Sequence, residues 1–170
     1  FDIKGLDAEV FQNNLPGFKI IEPLDTVAFT DHTGIYMIYL ADYHAFSSPS
    51  RFSLINSTMA CSPTVSGYNG SKTEKLEKLS IITLNDFDEK HLANSSINDL
   101  FEVLPDIYSE DNISLIAFLE NKTENIKHQE LFLRLVQAPT LNSEFHFSIK
   151  VELSTGEKYE TESSPVYLEQ

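Results

Sequence analysis

The chain has 170 residues, 41% of them hydrophobic, with twelve Phe and seven Tyr among them, so it is long enough to bury a substantial core. Its formal net charge is −14 with no basic stripe to offset it, which argues against nucleic acid and against anionic membrane surfaces as partners, since both would be repelled. The single cysteine excludes an internal disulfide framework, and no apolar run approaches the roughly 20 residues of a membrane-spanning helix.

In chain order, residues 18–21 and 26–29 read as two short strands, the first ended by Pro23. A turn at Asp31-His32-Thr33-Gly34 leads into IYMIYLADY (35–43), rich in β-formers with little polar interruption, which predicts a central strand. Further strands are expected at 52–58 and 79–84. Between them Cys61 lies in Met59-Ala60-Cys61-Ser62-Pro63, with Arg51 the one Lys, Arg or His within ten residues. Nothing local lowers its thiol pKa, so a buried structural thiol is expected rather than a nucleophile. A polar loop follows over 62–73.

After Asn94-Ser95-Ser96, Ser96 and Asp99 have capping-box spacing, and Ile97, Leu100, Phe101 and Leu104 form an apolar face, so a short helix is predicted up to Pro105. Asp111 or Asn112 caps a second helix through Leu119, although ISLIAFL (113–119) also fits a buried strand. Residues 121–129 form a polar connector. Leu131, Leu133 and Leu135 then alternate with Phe132, Arg134 and Val136. Strict alternation over 144–153 places Phe145, Phe147, Ile149, Val151 and Leu153 on one strand face. A turn at Ser154-Thr155-Gly156-Glu157 returns the chain through 158–168, where Pro165 favours an edge strand or bulge. These three strands predict an antiparallel meander. The whole reads as mainly β: one antiparallel β-sandwich domain over 1–170, Ig-like or related, of about seven or eight strands, with one or two short helices inserted around residues 96–121.

Candidate sites are few. Asp86, Asp88 and Glu89, in a turn that also holds Asn85 and His91, supply oxygen ligands suited to Ca²⁺, but without the glycine and distal Glu of an EF-hand; a solvated turn is the plainer expectation. The five histidines, His32, His44, His91, His128 and His146, include no pair at zinc-helix spacing. Tyr36, Tyr39 and Tyr43, followed by His44 and Phe46, are candidates to hold a partner on an exposed sheet face; core tyrosines with hydroxyls at the rim are the plainer expectation. N-x-[S/T] sequons at Asn56, Asn69, Asn94, Asn112 and Asn121 would be glycan acceptors in a eukaryotic secreted protein, although several arise by chance in a chain rich in Asn, Ser and Thr.

ACSP (60–63), SGYNGSK (66–72), LSIITLNDFD (79–88), SSINDLF (95–101), LFLRLVQAPT (131–140) and the FHFSIKVELSTGEKY hairpin (145–159) together resemble the DUF5034-type secreted lipoproteins of Bacteroidetes, over residues 35–168. The resemblance implies a β-rich fold and export to the periplasm or cell surface, on an outer membrane anchor whose lipid-bearing cysteine would precede Phe1. It implies no activity and assigns no site residues. The functional expectation is therefore a non-catalytic envelope module, with no cofactor, that binds a glycan or a protein. A structural or assembly subunit of a surface complex, and a hydrolase built around Cys61 or two facing carboxylates, are the alternatives.

Overall fold

The computed structural model describes residues 1–14, 17–30, 32–43, 70–105, 111–121 and 124–169. Strand β1 (Asp2–Asn14) opens the chain and was not anticipated from the sequence. Its inward residues Leu6, Ala8 and Val10 alternate with Asp7, Glu9 and Phe11, but the pattern is broken at Lys4 and Gly5, where the register against its neighbour shifts by a bulge. β2 (Gly17–Ile20), β3 (Thr26–Ala28) and β4 (Thr33–Asp42) follow, close to the predicted strands. β5 (Leu76–Thr83) matches the strand expected near residue 79.

The helix predicted after Ser96 is a correction. A single 3-10 turn (Asn98–Leu100) leads straight into β6 (Phe101–Leu104), which pairs antiparallel with β8 (Glu130–Leu135). Phe101 and Val103 alternate inward, and pairing with β8 overrides the helical spacing of Ile97, Leu100 and Leu104. Ser96 and Asp99 form no capping box: the Asn98 amide reaches the Ser96 hydroxyl at 3.4 Å, and Asp99 turns to His91. The second expected helix exists in part. β7 (Ile113–Ser114) precedes α1 (Leu115–Asn121), whose first turn is capped by Ser114 Oγ accepting from the Ala117 amide.

β9 (Glu144–Phe145), β10 (Phe147–Leu153), β11 (Lys158–Glu162) and β12 (Val166–Glu169) complete the described strands. The expected meander does not form. β10 and β11 are a hairpin with Gly156 at φ +94 in its turn, but β10 takes β5 as its other neighbour, and β8 joins a different sheet. Pro165 separates β11 from β12, which pairs parallel with β3 and antiparallel with β9.

The result is mainly β and sandwich-like. A six-stranded sheet in the order β2-β1-β4-β8-β6-β7 shares one core with a three-stranded sheet β11-β10-β5, and β3-β12-β9 form a third small sheet. Ile35, Met37 and Leu133 from the first sheet and Ile81, Phe147 and Ile149 from the second are fully buried in that core. β4 is central, as its composition predicts. The predicted strand at 52–58, Cys61, most of the loop at 62–73, and His44 and Phe46 lie outside the described residues.

The open edge of β5 is covered by the segment that follows it. Asn98 Oδ1 accepts from the Ile81 amide and its Nδ2 donates to the Leu79 carbonyl, both at 2.8 Å, so one side-chain amide stands in for a strand neighbour. At the turn between β2 and β3, Leu24 is 64% exposed with φ +66, a conformation costing a leucine about 1 kcal/mol. Leu24→Asn is expected to raise stability by about 0.5–1 kcal/mol in denaturant unfolding, since asparagine tolerates this region and the largely exposed leucine gives up little apolar burial. An unchanged or lower midpoint would show that Leu24 makes a compensating contact.

Candidate functional site

Alternation along β4 places Ile35, Met37 and Tyr39 in the core and Gly34, Tyr36, Ile38 and Leu40 on the outer face of the six-stranded sheet. The three candidate tyrosines therefore do not share a face. Tyr39 is 3% exposed, and burial pushes its phenol pKa up. Tyr43 is exposed beyond the end of β4, edge-on to Phe1 with its hydroxyl on Gln129. Tyr39 takes the plainer core position and Tyr36 the outer face, because residues 36 and 39 differ by an odd number and an extended strand sends them to opposite sides.

Tyr36 gains partners that the sequence did not suggest. Phe132 lies directly opposite it on β8 and stacks on it with ring centroids 5.0 Å apart. Phe18 from β2 stands edge-on to both, at 5.3 Å from Tyr36 and 6.1 Å from Phe132. Phe11 packs beneath, 5.3 Å from Phe18, and is 1% exposed although it points away from the main core. Gly34 makes this possible: the register puts it beside Phe11, and a Cβ there would sit 2.9 Å from the Phe11 ring. The outer face thus carries a small aromatic core of its own, with Phe18, Tyr36 and Phe132 partly exposed at its surface and Ile38 and Leu40 extending it.

Charge is arranged around this patch by register. Glu9 is paired with Tyr36, while Asp7 and Glu130 flank Ile38 from β1 and β8. The Tyr36 hydroxyl donates to Glu130 Oε1 at 2.7 Å. Partial burial, that hydrogen bond, and the charges of Glu130 and Glu9 hold its pKa up to about 12, so it remains a neutral donor. One row away Arg134 is engaged by Glu102, Nε at 3.0 Å and Nη2 at 2.5 Å. The outer face of β5-β10-β11 is different: Lys78 and Lys158 both meet Glu152 at 3.4 Å, and Lys150 meets Glu160 at 3.1 Å, so its charges neutralise one another.

The acidic turn, a candidate source of cation ligands, spends two of its carboxylates on its own loop. Asp86 accepts from the Ala93 amide, while Asp88 accepts from the Lys90 and His91 amides and from Gln137. Glu89 is exposed, so the three carboxylates do not converge, and no described group of three or more His, Cys, Asp or Glu is placed to hold a metal ion. His91, 8% exposed, is held between two carboxylates: Nδ1 is 2.8 Å from Asp88 and Nε2 is 3.1 Å from Asp99. Only the imidazolium can donate at both nitrogens.

Burial opposes the charge on His91, but the hydrogen bond to Asp88 and the charges of Asp99 and Asp88 outweigh it, and the pKa rises above its ordinary 6.5. For Asp88 burial also opposes charge, and the hydrogen bonds from His91 and Lys90 outweigh it, so its pKa falls below 3.8. A raised histidine stabilises fully below about pH 6.5 and loses that contribution as pH rises through its folded value; a lowered carboxylate stabilises fully above about pH 4 and loses it as pH falls through its own. This arrangement is therefore strongest between about pH 4 and 6.5. His91→Gln is expected to cost about 1–2 kcal/mol in that window by denaturant unfolding, with a smaller loss on either side. A loss independent of pH would contradict this reading.

Of the sequons, Asn94 has φ +68, Asn112 donates to Glu102 and Asn121 caps the end of α1, while Asn56 and Asn69 lie outside the described residues. His146 pairs with Glu162 at 2.9 Å, and His32 and His128 are exposed. A cleft of about 650 Å³ lies between α1 and the start of β8, lined by Tyr39, Leu76, Val103, Phe118, Ile126 and Leu131. Comparison with known proteins finds no family model, curated protein or solved structure that matches this chain.

Proposed function

We propose that this chain is a non-catalytic binding module of the cell envelope that docks a protein partner on the outer face of its six-stranded sheet. The observation that carries this is the partly exposed cluster of Phe18, Tyr36 and Phe132 with Ile38 and Leu40 beside it. A central apolar patch with a charged rim is the anatomy of a protein interface, and aromatic residues are its usual anchors. A glycan is the less favoured ligand, because the Tyr36 and Phe132 rings stack on each other at an interplanar angle of 21° and do not lie open for a sugar. The non-catalytic reading is supported by His91, whose two ring nitrogens are both engaged by carboxylates. The envelope compartment and the lipid anchor rest on the resemblance to secreted lipoproteins alone. If the partner is a larger surface complex, the same face serves a structural subunit.

A photo-crosslinking amino acid placed at Ile38, in cells of the source organism, is expected to yield a discrete protein adduct. The same group at Lys150, on the self-neutralised face, is expected to yield none. No adduct at Ile38, or the same adduct at both positions, overturns the proposal.

A further inference from the structure

Resting on that reading, we infer that the segment docking on this face is cationic and amphipathic: an extended stretch of a partner protein in which Lys or Arg alternates with apolar residues. Three carboxylates frame the patch. Asp7 and Glu9 lie along β1 and Glu130 lies on β8, with Tyr36 and Ile38 of β4 between them. Two strand spacings, about 10 Å, separate the two sides of the frame. All three acids are exposed, and among the described residues only neutral donors reach them: Asp7 accepts from the Ala8 amide and Glu130 from the Tyr36 hydroxyl. Among the described residues the ion pair on this face is Arg134 with Glu102, one row away, and it leaves Asp7, Glu9 and Glu130 without a cation; the paired lysines Lys78, Lys150 and Lys158 lie on the other sheet.

Like charges arranged around an apolar patch repel one another without a counter-charge, and a net charge of −14 adds to that cost. A partner that brings cations removes it, and its Lys or Arg stems can lie along Ile38 and Leu40 while their heads reach the carboxylates. A second copy of this chain is disfavoured by the same reasoning, because it would set three carboxylates against three. An anionic segment is disfavoured more strongly.

The test uses the whole chain and a twelve-residue probe of alternating Lys and Leu, with an alternating Glu and Leu peptide as its counterpart. The Lys-Leu probe is expected to bind, and the Glu-Leu probe is not. Asp7→Asn, Glu9→Gln and Glu130→Gln together are expected to weaken binding at least tenfold. Each replacement keeps an acceptor, and all three sites are exposed, so folding is expected to persist, as thermal unfolding will check. A control with Glu152→Gln, Glu160→Gln and Glu162→Gln changes net charge equally and is expected to alter affinity less than twofold. Equal weakening by both triples would mean that the general acidic field alone attracts the probe, and no weakening by the first would remove the frame; either overturns the inference. An Ile38 adduct whose contacting segment carries no Lys or Arg also overturns it while leaving the docking face intact. Absence of an adduct instead counts against the docking face itself.

Discussion

Gly34→Ala is expected to destabilise the protein by about 3 kcal/mol or more, because a Cβ has less room there than at Gly5 or Gly156. Gly34 lies on β4 between Phe11 on β1 and Arg134 on β8. A Cβ there would run into the Leu133 carbonyl oxygen of the neighbouring strand and approach the Phe11 ring to 2.9 Å. Backbone cannot yield as a side-chain tip can. Either the β4–β8 ladder opens locally, losing hydrogen bonds worth about 0.5–1.5 kcal/mol each, or Phe11 leaves a site where it is 1% exposed, at about 1.5–3 kcal/mol. For a chain of this size that is a fall in Tm of roughly 6–12 °C. Phe11→Leu should cost less in the Gly34→Ala background than in the wild type, because the two share one space. A Tm within about 2 °C of wild type would show that the outer face repacks freely, and its aromatic cluster would then not be the rigid platform described above.

The second large effect is expected at Glu74, a carboxylate only 3% exposed. Its two oxygens accept from the Ile3 amide at 3.1 and 3.2 Å, and Oε2 also accepts from the Ser71 hydroxyl at 2.8 Å. The Glu74 amide in turn donates to Ser71 Oγ at 3.0 Å, and the Phe1 terminus donates to the Gly70 carbonyl at 3.2 Å. These bonds tie the start of β1 to the approach to β5 across some seventy positions of sequence. Glu74→Ala leaves the Ile3 amide and the Ser71 hydroxyl without their partner in a dry place, at about 1–3 kcal/mol for each group, so a loss of roughly 3 kcal/mol is expected. Glu74→Gln keeps one acceptor oxygen and should lose roughly half as much. Hydrogen exchange locates the effect: the Ile3 amide should lose protection in Glu74→Ala, while Ile149 in β10 follows global stability alone. Unchanged Ile3 protection would contradict this role.

What was legible in the sequence followed from alternation. The run from Phe145 to Leu153 buries the side chains its period of two selects, and β4 is central because its composition is apolar on both faces. What was hidden depended on pairing between distant segments. β1 carries alternation in Leu6, Ala8 and Val10, but the bulge at Lys4 and Gly5 breaks its start. Phe101 to Leu104 has an apolar spacing that also fits a helix, and only β8 beside it decides for a strand. The candidate site was half visible. Composition marks Tyr36, Tyr39 and Tyr43 alike, but an extended strand turns Tyr36 and Tyr39, an odd step apart, to opposite faces. Phe18 and Phe132 could be joined to Tyr36 only by knowing that β2 and β8 lie in the same sheet. His91 held no spacing signal, since Asp88 and Asp99 reach it from two sides of a folded loop.

The proposed docking surface is the outer face of the six-stranded sheet. Hydroxyl-radical footprinting of this chain, in intact source cells and after purification, tests it most directly. Phe18, Tyr36, Ile38 and Phe132 are expected to be protected in cells and labelled in the purified protein, while exposed Leu24 is expected to be labelled equally in both. Equal labelling of the patch in the two states, or protection spread evenly over both sheets, would contradict it.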